Sequence, residues 1–85
     1  MKITVEISLY PLHEAYEQSV LDFIAKLKEH PSIEVQTNGL STQIFGDYEL
    51  VMAKILPEEI KKIFESERAV VVMKLAKGIL KFENK

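Results

Sequence analysis

Cysteine is absent from the chain, and glycine and proline are limited to three residues each. Without cysteine there are no disulfides, no thiolate nucleophile and no cysteine-ligated zinc, and the chain needs no oxidising compartment to fold. So little glycine and proline excludes fibrous and low-complexity readings. A long apolar run is missing too: the opening "MKITVEISLY" carries Glu6 in its middle, so it is neither a signal peptide nor a membrane span. An excess of basic charge is likewise lacking. Eleven Lys and Arg stand against thirteen Asp and Glu, for a net charge of −2, which leaves no basic stripe to gather phosphates and argues against a nucleic-acid partner. The expectation is a cytoplasmic protein with no nucleic-acid or membrane partner.

What is present reads as one small domain. The 85 residues are 47% hydrophobic and 28% charged, an ordinary globular balance. A domain this short buries a modest share of its surface, and a second subunit is a natural source of further stability.

The first segment alternates, with Ile3, Val5, Ile7 and Leu9 on one side and Lys2, Thr4, Glu6, Ser8 and Tyr10 on the other. That is the period of a half-buried strand, ended by Pro11. Over residues 14–29 the apolar Tyr16, Val20, Phe23, Ile24 and Leu27 recur at helical spacing, with Lys26, Lys28 and His30 near the carboxyl end and Pro31 as the stop. "SIEVQT" and "LSTQIF" are two strands joined at "NG", the strongest short hairpin signal, with Asn38 expected in the left-handed turn position. Asp47 is the expected N-cap of a second helix, whose apolar face is Val51, Ile55, Ile60, Ile63 and Phe64 and which Pro57 kinks or restarts. "AVVVMKLA" reads as a buried strand, and "GILKF" as a short edge strand.

Strand, helix, strand, strand, helix, strand is the split βαβ order of an α+β, ferredoxin-like sandwich: an antiparallel sheet with two helices on one face. Right-handed crossovers put the first and third strands side by side in the middle and the fourth and second at the two edges. Residues 8–13 then come to lie beside residues 38–42.

The sequence offers no catalytic constellation. His13 and His30 fall at opposite ends of one helix and cannot share a metal, and both are expected to be solvated helix-end histidines. Gly39 and Gly46 have no phosphate-cradling spacing around them. Neither catalysis nor a cofactor is expected. Tyr10, Ser41, Gln43 and Phe45 instead supply the aromatic rings, hydroxyl and amide of a small-molecule site. The alternative is that these residues merely cover the solvent face of a sheet.

Three stretches, "SLYPL", "NGLSTQIFGDYELVM" and "VVVMKLAKG", in that order over residues 3–78, resemble the YkoF-related thiamine/hydroxymethylpyrimidine-binding family. The resemblance implies a ferredoxin-like fold that binds thiamine or its pyrimidine precursor without transforming it, in an assembly such as a homodimer or dimer of dimers. For an aminopyrimidine, Ser8, Ser41 and Gln43 are the hydrogen-bonding candidates and Tyr10 the stacking surface, with Phe45 a second aromatic face. Glu6 is the candidate partner for a thiazolium charge, against the plainer reading of a cross-strand pair with Lys74. Thr42 contributes only if the ligand enters between helix and sheet.

The rival expectation is an interaction module that associates through its sheet. It rests on Tyr10, Phe45, Val70 and Val72, which alternation places together on the face away from the helices.

Overall fold

The computed structural model describes residues 1–39 and 41–81. Alternation makes β1 (Lys2–Pro11), which buries Ile3, Val5, Ile7 and Leu9 on one face. Onto that face pack Phe23 and Leu27 of α1 (Tyr16–Lys28) and Leu56 of α2 (Leu56–Ser66), with Val51 and Ile55 from the turns before α2. The buried stripe of α1 is shorter than expected, because Tyr16 at its start is exposed.

The hairpin joins β2 (Glu34–Thr37) to β3 (Thr42–Asp47), and β4 (Ala69–Lys77) completes the sheet. The strand order is β2-β3-β1-β4 with every pair antiparallel. The expected α+β architecture is the observed one.

Several local expectations are corrected. The turn is not a two-residue one: Thr37 pairs with Thr42, leaving a four-residue loop, and neither Asn38 nor Gly39 has positive φ. Asn38 closes the loop with its side chain instead, its Oδ1 accepting from the Ser41 backbone N–H at 3.0 Å, while its own N–H donates to the Ser41 carbonyl at 3.1 Å. Asx side chains compete with the backbone in this way.

Asp47 is the last residue of β3, and its Oδ1 accepts from the amino-terminal amine at 3.1 Å. The helical start has no side-chain cap bond. Leu50–Ile55 is a π-helical segment, and α2 restarts with Pro57 in its first turn. A proline has no N–H to donate and its ring crowds the carbonyl four residues back, so a widened turn immediately before it relieves both problems.

Gly46 marks a close approach. A Cβ there would stand 2.9 Å from Ile33 Cγ2 and 3.1 Å from Val51 Cγ2.

After β4 the chain does not add a strand over residues 79–81, and Phe82, the end of that expectation, lies outside the described residues. Gly78 turns with φ of +89°, a region open chiefly to glycine. The following residues cross the sheet face opposite the helices. Thr4 Oγ1 donates to the Gly78 carbonyl and accepts from the Leu80 N–H, both at 2.8 Å. Lys81 Nζ reaches Glu34 Oε1 at 2.7 Å and lies 5.1 Å from the centre of the Phe45 ring. The hydrogen bond from Lys81 holds the Glu34 carboxyl below its ordinary range. Phe45, expected to be an exposed member of an outer apolar cluster, is thus only 4% exposed.

The remaining correction concerns β4. Its apolar sequence led to the expectation of burial, yet it is an edge strand with Val70, Val72, Met73 and Leu75 all exposed.

Candidate ligand site

The two central strands differ in length, and that difference makes a cleft. The β1–β3 ladder runs from Lys2 opposite Asp47 to Ile7 opposite Thr42, whereas the β1–β4 ladder continues to Pro11 opposite Ala69. Beyond Ile7, β1 therefore goes on beside β4 while the β2–β3 loop turns away. A concavity of about 120 Å³ opens between that loop, the end of β1 and α1. Ser8, Tyr10, Ser41 and Thr42 line it, with Val20, Phe23 and Ile24 of α1 as an apolar wall.

Four of the six residues singled out from sequence thus meet around one space. Tyr10, 53% exposed, stands at the rim, on the β1 face turned away from the helices. Thr42 is buried on the helix side of the sheet, as alternation placed it.

Glu6 and Gln43 do not line this space. They pair across the sheet in one row, Gln36 opposite Gln43 opposite Glu6 opposite Lys74. Lys74 Nζ lies 3.8 Å from Glu6 Oε1, the plainer of the two readings of Glu6. Glu6 still touches the cleft indirectly, since its Oε2 accepts from Ser41 Oγ at 3.2 Å. A serine whose proton is committed in this way presents its lone pairs to an incoming donor.

Sequence reasoning missed Val20, Phe23 and Ile24 as lining residues. Their helical spacing is the signal for a packed core, and a wall facing a cleft has the same spacing.

The histidines are not simply solvated. His30 Nε2 donates to Glu59 Oε2 at 2.8 Å, and His13 Nε2 lies 2.8 Å from Glu67 Oε1. Ser19 Oγ donates to Glu67 Oε2 at 3.0 Å and is 3.2 Å from the same His13 nitrogen. Serine, histidine and carboxylate therefore meet, but not as a nucleophile with its base. That role needs one ring nitrogen to accept from serine while the other donates to the acid, and here both contacts fall on Nε2. The cluster instead fastens the start of α1 to the end of α2.

No family model and no curated protein matches the sequence. Solved structures do match. A Thermotoga maritima protein provisionally assigned to thiamine biosynthesis or salvage superposes with a TM-score of 0.81 at 18% identity, over 92% of this chain and 85% of that one. A Streptococcus pneumoniae protein gives 0.82 at 18% identity, over 94% and 90%. A hypothetical protein of Methanocaldococcus jannascii gives 0.72 at 21%, over 98% and 87%. At these identities the likeness is one of fold.

Proposed function

We propose that the cleft holds one flat heteroaromatic ring, the hydroxymethylpyrimidine precursor of thiamine or a close analogue, and binds it without chemical change. The observation that carries this reading is the divergence of β3 from β1 after Ile7 and Thr42, which gathers Ser8, Tyr10, Ser41 and Thr42 around an apolar wall. Hydroxyls on one side and aliphatic and aromatic carbon on the other suit an aminopyrimidine, whose exocyclic amine donates and whose ring faces are apolar. Ser41, oriented by Glu6, is the acceptor for that amine, and Tyr10 is the stacking surface. The fold shared with the Thermotoga protein supports the choice of ligand class.

Size favours the pyrimidine over whole thiamine. A cavity of roughly 150 Å³ accommodates a single benzene ring, whereas sites for drug-sized ligands start near 300 Å³. About 120 Å³, open on one side, suits one six-membered ring. Moreover, Glu6, the carboxylate proposed for a thiazolium, already has Lys74 near one oxygen and the Ser41 hydroxyl on the other.

The test is thermal melting with hydroxymethylpyrimidine and, separately, thiamine. At a hundred times its dissociation constant a specific ligand stabilises by about 2.7 kcal/mol, a shift of many degrees in so small a domain. The pyrimidine is expected to raise the melting temperature more than thiamine does. Melting curves unmoved by either compound would overturn the reading.

A further inference from the structure

We propose that Asn38 is a self-modification site: the backbone nitrogen of Gly39 attacks the Asn38 side-chain carbonyl, and water then leaves an aspartate or isoaspartate at the mouth of the cleft. Asn38 and Gly39 both line that cleft, and both are exposed. Asn-Gly is the strongest turn signal in the sequence, yet the fold does not use it as one, since neither residue has positive φ. What the loop provides instead is the arrangement of a nucleophile and an electrophile.

The nucleophile is unengaged. Among the described residues nothing accepts from the Gly39 N–H, whereas the N–H groups of Asn38 and Ser41 are both committed within the loop. The space around Gly39 is open, for a Cβ there would meet nothing within 4 Å, and glycine itself places no Cβ beside the attacking nitrogen.

The electrophile is oriented and polarised. Asn38 Oδ1 accepts from the Ser41 N–H at 3.0 Å, so the side chain reaches forward along the loop that contains Gly39. That N–H also points at the oxygen on which negative charge develops as the carbonyl becomes tetrahedral, which is the role of an oxyanion donor. The loop is short and closed at its base, with Thr37 paired to Thr42 and the Asn38 N–H donating to the Ser41 carbonyl at 3.1 Å. Ring closure between groups on neighbouring residues needs no second molecule to be brought in.

In the first step hydroxide or water takes the Gly39 amide proton, the bond from Gly39 N to Asn38 Cγ forms, and the Cγ–Nδ2 bond breaks as ammonia leaves with a proton. The product is a succinimide ring. Water then adds across one of its C–N bonds. Opening at Cγ gives aspartate with the backbone unchanged, and opening at the Asn38 backbone carbonyl carbon gives isoaspartate, in which the chain runs through the former side chain. Either product carries one more negative charge than the −2 of the unmodified chain.

The two products act differently on the cleft. Aspartate keeps an acceptor for the Ser41 N–H and adds charge near Glu6, whose Oε2 accepts from Ser41 Oγ at 3.2 Å. Isoaspartate inserts a methylene into the backbone of a four-residue loop and turns the acceptor of the Ser41 N–H into a main-chain carbonyl, which loosens the loop that walls the cleft. The only other asparagine, Asn84, precedes Lys85, whose side chain hinders the same closure.

The test is incubation of the folded protein for days at mildly alkaline pH, followed by mass mapping of the tryptic peptide 29–54 and by enzymatic methylation specific for isoaspartate. The wild type is expected to convert at Asn38, with isoaspartate among the products, at least as fast folded as in urea. Gly39→Ala, which the open space lets fold, is expected to lose the conversion on that timescale. In the isoaspartate form the Ser41 amide is expected to exchange faster than in freshly prepared Asn38→Asp, which has the charge without the rerouted backbone. An Asn38 that stays intact in the folded protein while it converts in urea overturns the proposal, because the Ser41 contact then protects the side chain instead of activating it. Conversion that is undiminished in Gly39→Ala overturns the assigned nucleophile, and equal Ser41 exchange in the two forms overturns the loosened loop.

Discussion

The imidazole Nε2 of His30 lies 2.8 Å from Oε2 of Glu59, a residue only 5% exposed. This contact ties the segment after α1 to the first turns of α2, and Lys62 approaches the other carboxylate oxygen at 3.7 Å. A carboxylate this deep is held by its partners, because an unpartnered buried charge is costly. Replacing Glu59 by alanine leaves the imidazole without its acceptor. The expected cost is about 1–3 kcal/mol, read as a lower denaturant midpoint with an unchanged slope.

Gly46→Ala is expected to destabilise through crowding. The new Cβ would meet the Cγ2 atoms of Ile33 and Val51 inside ordinary contact distance. Both belong to β-branched side chains with little rotameric freedom. Overpacking of this kind costs roughly 1–3 kcal/mol, and calorimetric melting measures it. By contrast, Gly39→Ala meets nothing within 4 Å of its Cβ and is expected to leave the melting temperature within a few degrees.

The segment that crosses the open face is held by Thr4 and by the Lys81–Glu34 pair. Thr4→Val removes two hydrogen bonds, with an expected loss of about 1–3 kcal/mol at 0.5–1.5 each. The earliest effect should be faster amide exchange at Leu80.

The Glu34 carboxyl is held below its ordinary value near 4.5 by Lys81. A depressed carboxylate stabilises the folded state above its unfolded value, and that contribution disappears as pH falls through the folded value. The segment is therefore expected to loosen below about pH 4.5 and not on the alkaline side of neutrality. In Lys81→Ala the acid dependence of exchange at Leu80 should be shallower.

For the ligand, Tyr10→Ala is expected to weaken binding of hydroxymethylpyrimidine by about five- to 150-fold, the equivalent of 1–3 kcal/mol. Gln43→Ala, which lies outside the cleft, is expected to change it less than twofold. Calorimetric titration of both variants decides the matter. Equal losses would move the ligand to the open sheet face.

Much of this fold is legible because one face of each element is apolar. Alternation in residues 3–9 orients β1, and the order of elements then fixes which strands are central. The adjacency of Ser8 to Ser41 follows without any knowledge of side-chain packing. What escaped has a common cause in contacts between distant residues. Phe45 looks exposed by alternation, yet it is buried, with Lys81, thirty-six positions later, lying over its ring. Val20 and Phe23 read as core and do pack there, and whether the same helical stripe also walls a gap depends on where β3 starts. Asn38 and Asp47 each had an expected local role and took another acceptor role. In the first case a loop amide outcompetes the left-handed turn, and in the second the amino terminus is the nearer cation.

The interior position of β1 also bears on how the chain is made. A ribosome releases β1 first and β4 last, yet Ile3 pairs with Lys77 and Thr4 with Ala76. Throughout synthesis the strand that will lie inside the sheet keeps one bare edge, and non-local pairing of this kind is slow to form. A chain cut anywhere before Ala69 would display that edge permanently, beside the apolar row of Ile3, Val5, Ile7 and Leu9, and would be expected to aggregate instead of holding a partial fold.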